Sequence, residues 1–469
     1  MLFNSIHFFI FLPIVLLGAA ILRKYSKKAE VLFLIIASAY FYGQWSWNYI
    51  ILIYITIVTD YILGLKCYSS DKPQKFLLLS LIVNLGILGF FKYANFLINT
   101  GNNISTGLGF DYQMQFFEFL LPVGISFYTF QSLSYTIDIY RKELQPRKSI
   151  FDYALFISFF PQLVAGPIVR ASEFFEQLDK KRHFSFDMAQ SGVMLILLGL
   201  VKKIVFADNL ATIVDPVFDN PESANGLMTL IAVYAFAFQI YFDFSGYTDI
   251  AIGVAKLLGF SFPRNFNHPY IALSIQDFWR RWHMTLSRWL RDYLYISLGG
   301  NRKGSYKTMR NLFLTMFLGG LWHGASWNFA LWGVLHGVYL AIERIIDKYK
   351  LFKWNLQNKF IRLFKWLVVF HLVCFAWIFF RAVEFSDSRQ IIENIITMKG
   401  QFAIPDVFWI SSALVILFPL WHWISAKIDL TGRSGTMQTK EYVFWQTALI
   451  TTLIFFYPQQ TGSFMYFQF

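Results

Sequence analysis

Apolar runs long enough to cross a bilayer recur along all 469 residues. A crossing helix needs about 20 such residues. The first run, "LFNSIHFFIFLPIVLLGAAIL", meets that length, and its positive charges follow it rather than precede it. That order predicts a first transmembrane helix with its N-terminus outside, not a cleaved signal peptide. The stretch 31–65 is too long for one crossing, so "GQWSWN" at 43–48 is expected to divide it. A membrane β-barrel would show short segments of alternating polarity instead. The pattern therefore predicts an all-α polytopic membrane protein. It is expected to form one membrane domain over 1–469, with no soluble domain and no inverted repeat.

The polar loops alternate in charge. Segments 23–30, 66–75 and 141–148 are basic, whereas 99–118 and 212–226 carry acidic residues and no Lys or Arg. Segments 261–310, 344–365 and 427–440 are again basic. The positive-inside rule then gives a consistent topology with both termini extracytoplasmic. It also absorbs the net charge of +13 without any nucleic acid, for which no motif is present. Stretches 150–170 and 311–343 each start and end inside, so each must be a re-entrant segment or a pair of short helices. "FFPQLVAGPI" (159–168) and "LGGLWHGASWN" (318–328) contain the Pro and Gly for such breaks. Broken backbone at membrane depth persists only where protein or a wet cavity satisfies it.

His323 lies in the second break, and its nearest formal charges are Arg310 and Glu343. An ionisable group at that depth is a functional hypothesis by default. Ser326 and Asn328 are its candidate hydrogen-bond partners. His336 and His371 read as core histidines, and Cys67 and Cys374 as packing residues. In the cytoplasmic amphipathic region 259–310, "QDFWRRWHMTLSRWLRDYLYI" (276–296) fits one amphipathic helix. Phe278, Trp282, Leu286, Trp289, Tyr293 and Ile296 share its apolar face, with His283 on the flank. Arg280, Arg281, Arg288 and Arg291 fall opposite, where they meet either lipid phosphates or an anionic donor. "FQIYFDFSGYTDIAIG" (238–253) places Asp243 and Asp249 within a span, as a proton path or as a buried polar network. The chain lacks a G-x-S-x-G elbow, H-E-x-x-H, C-x-x-C and a P-loop, and no metal site is expected.

"FWRRWHMTLSRWLRDYLYISLGGNRKG" (278–304) followed by "GGLWHGASWNFALWGVLHG" (319–337) resembles the membrane-bound O-acyltransferase family. "FPQLVAGPI" and "YFDFSGYTDIAIG" match the same bacterial branch, that of alginate and peptidoglycan O-acetylation, with the teichoic-acid D-alanylation protein a further relative. The resemblance implies a ring of about 11–12 transmembrane or re-entrant helices around a funnel. It implies a bacterial inner-membrane enzyme with cytoplasmic acetyl-CoA as donor, no bound cofactor and an extracytoplasmic serine-esterase-like O-acetyltransferase as partner. His323 matches the near-invariant family histidine and His283 the second one. Arg280, Arg281, Arg288, Asn328 and Trp322 are the expected substrate contacts.

The tail "TGSFMYFQF" (461–469), in an extracytoplasmic aromatic segment 459–469, is either an interfacial anchor or an acyl relay. Its ending resembles the tail of the small peptide that accompanies the D-alanylation protein, which would make Tyr466 the acyl carrier. The Phe, Ile and Tyr excess suits an AT-rich genome, which favours peptidoglycan over alginate as the polymer. A precursor transporter with Asp243 and Asp249 as proton path is the rival class.

Overall fold

The computed structural model describes residues 1–110, 112–180, 182, 185–352, 354–398, 406–457, 462, 464 and 465; for 406–414, 416 and 417 only the backbone path is described. No described residue lies in a strand, and six described helices are long and apolar enough to cross a membrane. The chain is a multi-pass membrane protein, as its pattern predicts. It divides into two compact units: Met1–Val193 with Ala251–Pro263, and Met194–Ile250 with Arg264–Phe469.

The first unit begins with α1 (Ile6–Tyr25) and α2 (Lys27–Gly43). Ser26 ends one and caps the other, its hydroxyl accepting from the Ala29 amide. The chain turns at 44–49, as "GQWSWN" predicts, into α3 (Ile50–Ser69) and α4 (Pro73–Gly107). Helix α4 runs well past position 99, where a loop was expected to begin. Asn95 and Asn102, two turns apart, explain the extension. Each side-chain amide pairs with both backbone groups of one residue in the returning chain, Phe117 and Met114 respectively. The polar asparagines thus zip the return segment to the helix.

Helices α5 (Ile125–Tyr140), α6 (Ile150–Ser158), α7 (Phe160–Leu163) and α8 (Ala171–Asp179) complete that unit with the start of α9 (Phe186–Leu200). The expected break lies between α6 and α7. There the buried Ser38 hydroxyl takes the Phe160 amide at 3.1 Å, and Gln162 Nε2 donates to the Phe156 carbonyl. Buried Asp60 of α3 accepts from Ser80, Asn84 and Ser132. Every one of these contacts answers the rule that hydrocarbon satisfies no polar group.

The second unit holds the end of α9, a π-helical segment (Val201–Ala207), α10 (Asp208–Asp219) and most of α11 (Gly226–Leu257). Helices α9 and α11 touch through Gly199 and Gly246. A Cβ on Gly199 would lie 2.5 Å from the Gly246 carbonyl oxygen, so neither position admits a side chain. The wide π turn that follows allows consecutive lysines to reach the same neighbour. Lys202 Nζ donates to Asp249 at 2.6 Å, and Lys203 Nζ donates to Asp243 and Asp208, each at 2.8 Å. Asp243 and Asp249 are therefore ion-paired, the buried-network alternative for these two positions.

The amphipathic stretch 276–296 is not one helix. It forms α12 (Ile275–Arg281), α13 (Met284–Trp289) and a π turn (Leu290–Tyr295), broken at His283 with φ +40°. Its apolar stripe is buried from Phe278 to Tyr293, but Ile296 is exposed. Helices α14 (Ser305–His323) and α15 (Trp327–Tyr349) form the hairpin expected from "LGGLWHGASWN". Gly320 and Gly333 let them meet, since a Cβ on Gly320 would stand 2.4 Å from the Phe329 carbonyl oxygen. Helices α16 (Lys359–Arg381), α17 (Phe385–Thr397), α18 (Asp406–Ile428), α19 (Leu430–Arg433) and α20 (Thr439–Phe455) follow. Cys67, Cys374 and His336 are buried, as expected. His371 is a correction: it is exposed on α16, its ring nitrogen bonded to the Leu367 carbonyl one turn back.

Candidate functional site

His323 is the last residue of α14, and Gly324, in extended conformation, ends the helix. The chain restarts at Ser326, whose hydroxyl accepts from the Phe329 amide and caps α15. The imidazole is 4% exposed and stands among aromatic rings. Trp322 lies at 4.9 Å, Trp332 at 5.1 Å and Phe380 at 5.2 Å between centroids, all steeply inclined to it. Edge-to-face packing of this kind fixes a ring's position and orientation. Trp332 and Phe380 come from α15 and α16, so three helices position one side chain.

His283 sits at the break between α12 and α13 and is fully buried. Asn265, in the loop after α11, organises that break. Its side-chain oxygen accepts from the Thr285 amide at 3.2 Å, from the Thr285 hydroxyl at 2.9 Å and from the His283 ring at 3.1 Å. Its backbone carbonyl takes the Met284 amide. The bond to a carbonyl oxygen assigns the ring proton to Nδ1 and leaves Nε2 as the acceptor. In this arrangement one ring nitrogen donates and the other accepts, which is the neutral imidazole. Phe244 of α11 meets it edge-on at 4.7 Å. Trp322 lies 6.2 Å from His283 and 4.9 Å from His323, so one indole separates the two imidazoles.

The other expected site residues divide. Trp322 belongs to this cluster. Asn328 is 2% exposed; its amide donates to the Ala382 carbonyl at 2.9 Å and accepts from the Ser388 hydroxyl at 3.2 Å. It ties the start of α15 to the turn before α17, while Ser326 caps α15. Arg280 is exposed. Arg281 is paired with Asp277 at 2.8 Å, Arg291 is paired with Asp292, and Arg288 is half-buried. Tyr466 lies outside the described residues, but two residues before it are placed. Met465 donates its amide to Asp243 at 3.0 Å, and the Phe464 ring lies 4.8 Å from both Lys203 Nζ and the Tyr247 ring.

Sequence reasoning passed over Asn265, Trp332, Phe380, Lys202 and Lys203. The lysines had a signal: two adjacent cations interrupt the apolar run before Asp208 and supply the counter-charges that Asp243 and Asp249 require. Asn265 had none, since its role arises from a loop folding back over twenty residues.

Comparison with known proteins gives the chemistry its context. The family model described as "MBOAT, membrane-bound O-acyltransferase family" matches residues 141–381. The probable alginate O-acetylase AlgI of Pseudomonas aeruginosa is 43% identical over 403 residues, covering 84% of this chain and 74% of that protein. The peptidoglycan O-acetyltransferase of Helicobacter pylori is 38% identical over 433 residues, covering 85% and 80%. The teichoic acid D-alanyltransferase of Bacillus subtilis is 30% identical over 280 residues, covering 57% and 70%.

Asn265→Ala removes the acceptor that serves three donors at the His283 break. It is expected to lower stability by about 1–3 kcal/mol, the range for deleting one partner of buried hydrogen bonds. Thermal unfolding in detergent measures this, with Asn265→Asp as the variant that keeps an acceptor oxygen and most of the stability.

Proposed function

Because the chain belongs to the membrane-bound O-acyltransferase family and is an acyltransferase, we propose that it takes an acetyl group from cytoplasmic acetyl-CoA and passes it across a bacterial inner membrane. An extracytoplasmic partner transferase then O-acetylates a cell-envelope polysaccharide. Peptidoglycan is the expected polymer; the 43% identity to alginate O-acetylases supports alginate, or another exopolysaccharide, as a second reading. Ester-linked acetate measured separately on purified muropeptides and on secreted polysaccharide separates the two. The family assigns group transfer, so the ion-paired aspartates need no transport role.

The observation that carries the proposal is His323 held at the α14–α15 break inside its aromatic box. An imidazole has a reference pKa of about 6.5, many units below that of an aliphatic hydroxyl. Complete proton transfer before attack is therefore unfavourable, and the base accepts the proton as the new bond forms. Tyr466 is the proposed acyl relay. A phenol with reference pKa near 10 leaves a gap to histidine of roughly 5 kcal/mol, much smaller than for an aliphatic alcohol. The docking of Met465 on Asp243 supports the relay, because the next residue of α11, Phe244, packs on His283. His283 positions Trp322 and, through it, His323. Arg280 and Arg288 meet the donor's phosphates on the basic cytoplasmic face, where both termini lie on the opposite side.

His323→Ala is expected to abolish acetyl-CoA consumption and polymer acetylation while the protein stays folded and membrane-inserted. Tyr466→Phe keeps the aromatic ring and is expected to lose polymer acetylation alone. Retained acetylation in His323→Ala at normal expression contradicts the base assignment; retained acetylation in Tyr466→Phe returns that residue to an interfacial anchor.

Arginine substitutions give a separate readout on the donor. Arg280→Ala and Arg288→Ala should each raise the KM for acetyl-CoA, with a charge-assisted contact worth roughly 1.5–3 kcal/mol. Arg281→Ala should raise it less, since Asp277 already pairs with that guanidinium. An unchanged KM in both of the first two variants assigns them to the lipid interface.

A further inference from the structure

Trp332 stands against His323 with its indole N–H unengaged by any described residue. The ring centroids are 5.1 Å apart at an interplanar angle of 84°. Trp332 is 1% exposed, and its Nε1 has no hydrogen-bond partner among the described residues. Buried tryptophan N–H groups ordinarily find an acceptor. Two tryptophans that pack on Trp332 follow that rule: Trp279 Nε1 donates to His336 Nδ1 at 3.2 Å, and Trp377 Nε1 donates to the Tyr270 hydroxyl at 3.1 Å. Packing alone does not call for an indole here. Trp332 fills a space bounded by His336, Trp377 and Phe380, which an apolar ring would fill without burying a donor. A fully buried donor left open beside the proposed base requires an explanation, and a catalytic role is one such explanation.

We propose that the Trp332 Nε1–H group is the hydrogen-bond donor for the carbonyl oxygen of the acyl thioester. This rests on the acyl-transfer reading above. In the step, the acceptor hydroxyl oxygen forms a bond to the thioester carbon and its proton passes to His323. The carbonyl π pair moves onto oxygen, giving a tetrahedral oxyanion that accepts from Trp332 Nε1. The oxyanion then re-forms C=O and breaks the C–S bond. The thiolate of coenzyme A leaves and takes the proton back from His323. The donor is held by its packing before the reaction begins, and a preorganised donor is the kind that stabilises developing charge most.

The test is Trp332→Phe in the full-length protein, with acetyl-CoA as the probe. Removing one preorganised oxyanion donor lowers kcat by roughly 10²–10³-fold. The expected result is a loss of about that size in kcat, an unchanged KM for acetyl-CoA and an unfolding temperature equal to or above wild type. The stability readout has this sign because the substitution deletes a donor that bonds none of the described residues. Trp279→Phe, which loses a bond that is made, is expected to lower the unfolding temperature instead. Replacement of Trp332 by its benzothienyl isostere keeps the ring shape and removes only the N–H, so it must show the same loss of kcat. Wild-type kcat in Trp332→Phe or in the isostere overturns the proposal. If either is fully active while His323→Ala is inactive, only this inference falls; if His323→Ala is itself active, the acyl-transfer reading falls with it.

Discussion

Hydrocarbon offers no partner to a backbone amide, and His323 stands at an interrupted helix only because the protein answers the groups that the interruption exposes. The Ser326 hydroxyl takes the Phe329 amide where α15 restarts. Asn328 locks the same turn to the Ala382 carbonyl and to Ser388. The break at His283 depends on Asn265, and the break after α6 on Ser38. At each of these three breaks a nearby polar side chain takes one of the backbone amides. Those breaks are what bring imidazoles into the interior, where a straight helix would present them to lipid or bury them in packing.

The same constraint governs charge. Two adjacent lysines in the π turn match aspartates at positions 243 and 249, just under two turns apart on α11, and glycines at 199 and 246 bring the helices close enough for the bonds to form. Removing one partner of such a buried pair leaves an uncompensated charge and costs about 3–5 kcal/mol. The network also receives the chain's C-terminal segment through the Met465 amide and the Phe464 ring. An element that fastens helices thus also holds Phe464 and Met465 of the aromatic segment that the sequence reads as an anchor or an acyl relay.

Much of this was legible in the residues. Hydrophobic run lengths predicted helices throughout, and loop charge predicted where "LGGLWHGASWN" had to fold back. The hairpin of α14 and α15, with His323 at its break, is the result. The helical periodicity over 276–296 gave the right buried face from Phe278 to Tyr293 but missed the break at His283, because periodicity does not register a single residue in left-handed conformation. Around His323, Ser326 and Asn328 lie close in sequence; the Ser326 hydroxyl caps α15, Asn328 bonds the Ala382 carbonyl and Ser388, and rings from α15 and α16 pack on the imidazole. His371 looked buried by its apolar neighbours and faces outward, since a helix in lipid is apolar on both sides and its inner face cannot be told from composition.

In the proposed function the acetyl group passes through the protein at His323 while coenzyme A stays on the donor side. Sealed vesicles test this directly, with the basic face of the protein inward and acetyl-labelled acetyl-CoA trapped inside. Wild-type protein should deliver labelled acyl groups, as ester or acetate, to the outside while the nucleotide remains within, and His323→Ala should deliver none. Label that stays inside with wild type, or that escapes equally from both proteins, would contradict the account.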